Sequence, residues 1–238
     1  MKVALDATPL TVPTGGIARY TQQLYEALRT GFALDEFTLL GPGMGRWWSA
    51  GLPRQLRREN YSLFHGTDFA VPYLPVKPAV MTVHDLSPWR AEYAAETSAR
   101  VRRRMPWLLR LGLAARIVTP TEAIRREAIA GFGLAPDSVR AIPHGVEPRF
   151  FVRAEPATPP YLLAVGTVGA RKNYAVAIEA ARAAGLELRI AGRKLHQNAD
   201  VPGVVHWLGA VDENTLPLLY ARAAALLFPS HYEGFGLP

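Results

Sequence analysis

Four side chains stand where charge or a proton can act at the end of an apolar run: Glu233 in FPSHYEGFGLP (residues 228–238), the adjacent Arg171 and Lys172, and His84. Gly234 and Gly236 flank Phe235, and the lack of Cβ atoms there lets backbone N–H groups approach a ligand closely. Glu233 supplies an acceptor for sugar hydroxyls or a cationic centre; at this spacing alone, an ordinary solvated loop fits equally well. Arg171 and Lys172 lie on a loop that leads into a helical stretch over 174–184, an arrangement suited to gripping a diphosphate. A surface-charged loop is the plainer reading. His84 closes the apolar run 79–83, where its ring can donate to a hydroxyl or a developing charge and its carbonyl can accept. Its alternative is a structural histidine bonded to its own loop, with Asp85 as a loop cap and His65 a weaker acceptor-side candidate.

The elements that must position these residues alternate between short apolar runs and helical periodicity. Apolar runs at 3–7, 36–40, 62–65, 79–83 and 116–119, with helical stretches between them, predict a doubly wound parallel sheet, an α/β fold. Ile17, Tyr20, Leu24 and Leu28 recur at helical spacing behind Gly15 and Gly16. A glycine pair between a strand and a helix N-terminus suits a phosphate, or is simply a tight turn. Thr119, Pro120 and Glu122 read as N-cap, N1 and N3 of a helix through Ala130. Residues 147–160 hold four prolines and no apolar period, which marks a linker centred on 151–160 between a first domain at 1–150 and a second at 161–238. Runs at 161–166, 186–191, 204–208 and 223–228 are the strands of that second unit, the last expected to be buried on both faces.

Hydrophobic residues make up 49% of the 238 and charged ones 20%, so a folded chain is expected rather than a disordered one. There is no cysteine, which excludes disulfides and fits a cytoplasmic protein. The start is too short in apolar residues for a signal peptide, and no run approaches the length of a membrane span. Of the net charge of +7, residues 1–152 carry +6, with 19 Lys/Arg against 13 Asp/Glu. That favours anionic partners. Between residues 96 and 115, Arg100, Arg102, Arg103, Arg104 and Arg110 interleave with Met105, Trp107, Leu108, Leu109 and Leu111. Two readings stand: contact with an anionic membrane surface through Arg100–Arg110, peripheral at the inner face, or a core-facing helix with a solvated basic side. Nucleic acid is not expected, since the aromatics do not alternate with basic residues as a stacking platform needs.

EGFGLP after an apolar strand ending in Pro-Ser resembles the donor-sugar loop of the retaining, two-domain GT-B enzymes of glycosyltransferase family 4, the group 1, mannosyltransferase-like enzymes. The resemblance runs from Lys2 to Pro238. In that family a second glutamate follows eight positions after the first, which here lies beyond Pro238, so the second domain is expected to be incomplete. The resemblance implies two Rossmann-like domains facing a cleft and transfer of a hexose, mannose by likeness, from a nucleoside-diphosphate sugar to a glycan or lipid-linked acceptor. It assigns His84, Arg171, Lys172 and Glu233 to catalysis. Gly15, Gly16, Arg171, Lys172, Val211, Gly234, Phe235 and Gly236 would hold the donor, with Val211 beside the base edge and Arg193-Lys194 near the nucleotide. The chain departs from the pattern at Thr167, where many members carry Arg, and at His144, where Asn is usual. No cofactor beyond the co-substrate is expected, and no metal, because Asp, Glu and His show no metal spacing. The alternatives are a nucleotide-sugar epimerase or phosphorylase on the same fold, and a non-catalytic fragment that binds acceptor or membrane.

Overall fold

The computed structural model describes residues 1–238 except 13–14, 44, 94–98, 168, 193–202, 213 and 238. Arg193, Lys194 and Pro238, named in the sequence reading, and residues 96–98 of the basic segment fall outside the described residues. The chain divides into two units, Met1–Pro143 and His144–Pro238, so residues 144–160 are counted with the second.

The first unit is a six-stranded parallel sheet in the order β2-β1-β3-β4-β5-β6. Its strands are β1 (Lys2–Asp6), β2 (Glu36–Leu40), β3 (Leu63–Gly66), β4 (Ala79–Thr82), β5 (Arg116–Thr119) and β6 (Val139–Ala141). Every pairing is parallel, with Leu5 opposite His65 and His65 opposite Val80. Leu5, Phe64, Met81 and Ile117 are fully buried, which is why these strands read as continuous apolar runs rather than alternating ones. Among the described residues the α-helices, in chain order, are α1 (Gly16–Gly31), α2 (Leu52–Arg58), α3 (Ala99–Arg110) and α4 (Glu122–Phe132). On α1 the fully buried residue is Thr21, while the expected stripe of Ile17, Tyr20, Leu24 and Leu28 is half-buried.

The cap of α4 differs from the sequence reading. Thr121, not Thr119, is the N-cap, its hydroxyl accepting from the Ile124 N–H at 3.2 Å. Thr119 belongs to β5 instead, where its carbonyl accepts from the Ile142 N–H at 2.8 Å, and a residue held in the sheet cannot also close the helix.

The second unit holds a four-stranded parallel sheet in the order β10-β7-β8-β9, formed by β7 (Tyr161–Val165), β8 (Glu187–Ala191), β9 (Val205–Gly209) and β10 (Ala225–Leu226). Helices α5 (Tyr174–Ala184) and α6 (Thr215–Arg222) complete it. Leu162, Ala164, Ile178, Ala181, Leu188 and Ile190 form its core. The expectation of a last strand buried on both faces is not met. β10 has two residues, both exposed, because it lies at the sheet edge with β7 as its neighbour. No helix among the described residues is long and apolar enough to cross a membrane.

Where β7 and β8 end, their backbones run almost in contact. Gly166 donates to the Ala191 carbonyl at 2.9 Å and Gly192 to the Gly209 carbonyl at 2.8 Å. A Cβ at Gly192 would stand 1.9 Å from the Gly166 carbonyl oxygen, a clash with backbone that no rotamer relieves. Gly192→Ala should therefore destabilise the second unit by more than about 2 kcal/mol in urea unfolding. Gly169→Ala, with open space around it and an extended φ of −171°, should leave the midpoint unchanged within error. Equal midpoints for both variants would contradict this packing.

Candidate active site

In the second unit the chain leaves β7 through a 3-10 turn, Ala170–Lys172, which sets two cations side by side before α5. The loop after β10 brings Glu233 to them. Arg171 donates through Nη1 to Glu233 Oε2 at 2.6 Å and to the Tyr232 carbonyl at 2.8 Å. The Lys172 ammonium is 2.9 Å from Glu233 Oε1 and 5.1 Å from the centre of the Phe228 ring. A backbone bond ties the same loops, the His231 N–H donating to the Arg171 carbonyl at 2.9 Å. All three charged side chains are more than two-thirds covered. Burial alone would raise the Glu233 carboxyl, but the hydrogen bond and charge of Lys172 and the charge of Arg171 outweigh it and hold it below the ordinary glutamate range. The cluster thus keeps one net positive charge at neutral pH.

The surroundings fix this geometry. Tyr174, the first residue of α5, donates its hydroxyl to the Gly166 carbonyl at 2.8 Å. Burial, then the Glu233 charge, push that phenol up to about 12, so it stays a neutral donor. Phe235 packs its ring 5.0 Å from that of His144, within the same unit. Gly234 and Gly236 lie on either side of it, half-covered. Val211 stands between β9 and α6, and next to it Asp212 accepts from the Asn214 and Thr215 N–H groups at 2.9 Å each, capping α6. The resemblance assigned Arg171, Lys172 and Glu233 to catalysis, and Arg171 and Lys172 also to the donor; the structure brings the three into direct contact. The sequence reading missed Tyr174 and Phe228, for which the signal was an aromatic at each end of the loops concerned.

In the first unit, Gly15 caps α1 with φ 141° and ψ 158°, a conformation open to glycine alone, and Gly16 begins the helix with nothing within 4 Å of where its Cβ would be. Both are exposed at a helix N-terminus. His84 follows β4. Its Nε2–H donates to the Thr67 carbonyl at 2.8 Å, and its ring stands edge-on to Tyr20 at 4.8 Å and to Phe69 at 6.3 Å. This nitrogen is therefore committed to the loop after β3, not to the residue's own loop as the structural alternative had it, and the bond fixes the orientation of the ring. Asp85 caps its own loop, accepting from the Ser87 N–H at 2.8 Å and the Ser87 hydroxyl at 2.6 Å.

A polar network not seen in the sequence runs beneath. Thr21 donates to Thr67 at 3.0 Å, and Thr67 to the Asp6 carbonyl at 2.9 Å. His65 Nε2 is 2.9 Å from the Thr82 hydroxyl, which is 3.1 Å from that of Tyr20. Burial, and then the neighbouring His84, bring His65 down to about 4, so it is neutral at physiological pH. Asp6, only 2% exposed, is raised to about 6 by burial against the bond it accepts from the Thr8 N–H. The signal that could have found Asp6, His65, Thr67 and Thr82 is their position at or beside a strand's carboxyl end; Tyr20 and Thr21, inside α1, carry no such signal.

The chain is similar to known glycosyltransferases in sequence and fold. The model of Glycosyltransferase Family 4 matches residues 17–150, and that of Glycosyl transferases group 1 matches residues 146–238. The O-antigen chain mannosyltransferase B of Escherichia coli is 27% identical over 302 residues, covering all of this chain and 78% of that protein. Among solved structures, a glycosyltransferase involved in lipopolysaccharide biosynthesis superposes with a TM-score of 0.70 at 15% identity, covering 98% of this chain and 76% of that one. Another, involved in avilamycin A biosynthesis, gives 0.63 at 21% identity, covering 97% and 69%. Two parallel α/β units with the fold of these enzymes, and a family match over more than half of the residues, make this chain a member of glycosyltransferase family 4, a group 1 glycosyltransferase of the GT-B fold.

Proposed function

We propose that the protein transfers a hexose, mannose by analogy with the Escherichia coli relative, from a nucleoside-diphosphate sugar to a hydroxyl of a glycan or lipid-linked acceptor, with retention at the anomeric carbon. The observation that carries this reading is the convergence of Arg171 and Lys172 on Glu233 at the carboxyl ends of β7 and β10. In the transfer the bond between the anomeric carbon and the diphosphate oxygen breaks, and its electron pair leaves with the diphosphate. A bond from the acceptor oxygen to the same carbon forms, and the hydroxyl proton passes to the departing phosphate. Charge develops on that phosphate as the bond lengthens, so fixed cations stabilise the transition state more than the bound donor. Arg171 suits this role because its protein bonds among the described residues all run through Nη1, which leaves the other guanidinium nitrogens to a ligand. Glu233 holds the two cations together and offers its carboxylate to sugar hydroxyls. Backbone groups of Gly234, Phe235 and Gly236 complete the sugar contact, and Val211 lies toward the base. The two side-chain cations stand in the role a divalent metal has elsewhere, and the nucleotide sugar is the only small molecule required. Gly15, Gly16 and His84 belong to the acceptor-side unit.

A further partner follows from α3. Arg100, Arg103, Trp107 and Arg110 recur three or four residues apart along its exposed side, ending at Leu111, with Trp107 62% and Leu111 66% exposed. Met105, Leu108 and Leu109 face the core, while Arg102 and Arg104 are tied to the Pro88 carbonyl and the Tyr73 hydroxyl. Both readings of this segment thus describe one helix. Its outer stripe, cationic with an aromatic at its centre, suits an anionic lipid surface at the cytoplasmic face.

Lys172→Ala should lower kcat about 10²–10³-fold with a smaller effect on KM for the donor, measured by release of nucleoside diphosphate. Unchanged turnover would remove the cationic grip. Separately, replacing Arg100, Arg103 and Arg110 together by Gln should weaken co-sedimentation with phosphatidylglycerol vesicles about 100-fold, at about 1 kcal/mol per charge. Equal binding by the variant, or none by the wild type, would dismiss the membrane contact.

A further inference from the structure

The two cations that meet Glu233 are not equally open. Arg171 keeps 28% of its side chain exposed, and its protein bonds among the described residues run through Nη1 alone. Lys172 keeps 14%. Its ammonium stands 2.9 Å from Glu233 Oε1 and 5.1 Å from the centre of the Phe228 ring. Its stem lies along Gly166, where a Cβ would come within 3.1 Å of Lys172 Cε and 3.4 Å of Nζ, and where φ is 133°. The ammonium is therefore settled against the protein with a carboxylate as its counter-ion.

Glu233 bridges the pair with one oxygen on each cation, Oε2 at 2.6 Å from Arg171 Nη1 and Oε1 beside Lys172. Two oxygens of a phosphate would bridge the same cations in the same way. The carboxylate is kept there by its own loop, through the His231 N–H on the Arg171 carbonyl and the Tyr232 carbonyl on the Arg171 guanidinium. It thus competes with an incoming anion as an intramolecular ligand, favoured by its effective concentration. A glutamate side chain turns away by rotation between staggered rotamers, with no movement of the backbone.

What displacement costs depends on the ligand. Burial alone would raise this carboxyl, and Lys172 and Arg171 are what hold it below the ordinary glutamate range. A largely covered carboxylate that loses both cations keeps its charge without a partner, which opposes binding. A nucleotide that carries a hexose brings hydroxyls to donate to it. The bare nucleoside diphosphate brings the same phosphates and no donor at that end.

We propose that Glu233 is an internal counter-ion which a diphosphate has to displace, and that this exchange makes the site favour the nucleotide that carries a hexose over the nucleoside diphosphate left after transfer. Once the hexose has gone, the carboxylate returns to Lys172 and Arg171 and expels the product. This rests on the transferase reading, which already gives the carboxylate to sugar hydroxyls, and adds to it the competition that governs product release.

Calorimetric titration of the full chain and of Glu233→Gln tests it, with uridine, guanosine and adenosine diphosphates and the glucose and mannose derivatives of each. The variant should bind a nucleoside diphosphate about tenfold more tightly than the wild type, while at least one hexose derivative of the same base gains less or loses affinity. A second measurement needs only the wild type. In carbon-13 NMR of its glutamate carboxyls, one midpoint that lies below the ordinary range should rise when the diphosphate is saturating. Diphosphate binding by Glu233→Gln that is equal or weaker, an equal gain for every hexose derivative, or carboxyl midpoints indifferent to the diphosphate overturns the proposal. Failure of the transferase reading shows differently, as wild-type and variant proteins that bind none of these nucleotides.

Discussion

The second unit turns on one electrostatic constraint: two cations held next to each other by a single carboxylate. Unit charges of like sign 4 Å apart repel by about 4 kcal/mol at an effective dielectric near 20. Arg171 and Lys172, neighbours in sequence and largely covered, therefore need a counter-charge, and Glu233 supplies it from 62 residues further along the chain. Around that pairing the rest of the site falls into place. The 3-10 turn presents both cations, the Tyr232 carbonyl and the His231 N–H lock the two loops, and the Phe228 ring faces the ammonium. A diphosphate offers more negative charge than one carboxylate, which is the electrostatic basis for proposing one as the ligand of this cluster.

Topology explains why the pairing occurs where it does. In the second unit the strand order runs from β7 through β8 to β9 on one side and returns to β10 on the other. The loops after β7 and β10 thus diverge at the point where the winding reverses, the place where open α/β sheets leave a crevice. The first unit repeats the arrangement. Its order reverses between β1 and β3, and there lie Gly15 and Gly16 after β1, and Asp6 and Asp68 at the ends of β1 and β3. The two switch points differ in charge: that of the second unit carries Arg171 and Lys172 against one carboxylate, that of the first carries Asp6 and Asp68.

Much of this architecture is legible in the residues because the physics involved is local. The run at residues 161–166 is apolar because a parallel strand inside a sheet is covered on both faces, and all but its last residue is the strand Tyr161–Val165; residues 36–40, with Glu36 and Thr38 among them, form the half-exposed edge strand β2 at the expected bounds. The loop residues Arg171, Lys172, Glu233, Gly15 and His84 stand out because each follows such a run. What could not be read depends on partners distant in sequence. Thr119 looks like a helix cap until β6 claims its carbonyl, and residues 223–228 look like a buried strand until the sheet order leaves them with one neighbour. That Asp68 Oδ1 is covered and meets no donor among the described residues has no sequence signature at all, since it depends on loops distant in the chain.

The central claim is that the Arg171–Lys172 pair is a diphosphate site, and the most direct measurement is calorimetric titration of the full chain with uridine, guanosine and adenosine diphosphates beside the parent nucleosides. The account predicts that at least one diphosphate binds at least 100-fold more tightly than its nucleoside, and that this advantage shrinks as salt is raised. Diphosphates that bind no better than nucleosides at low salt would contradict it.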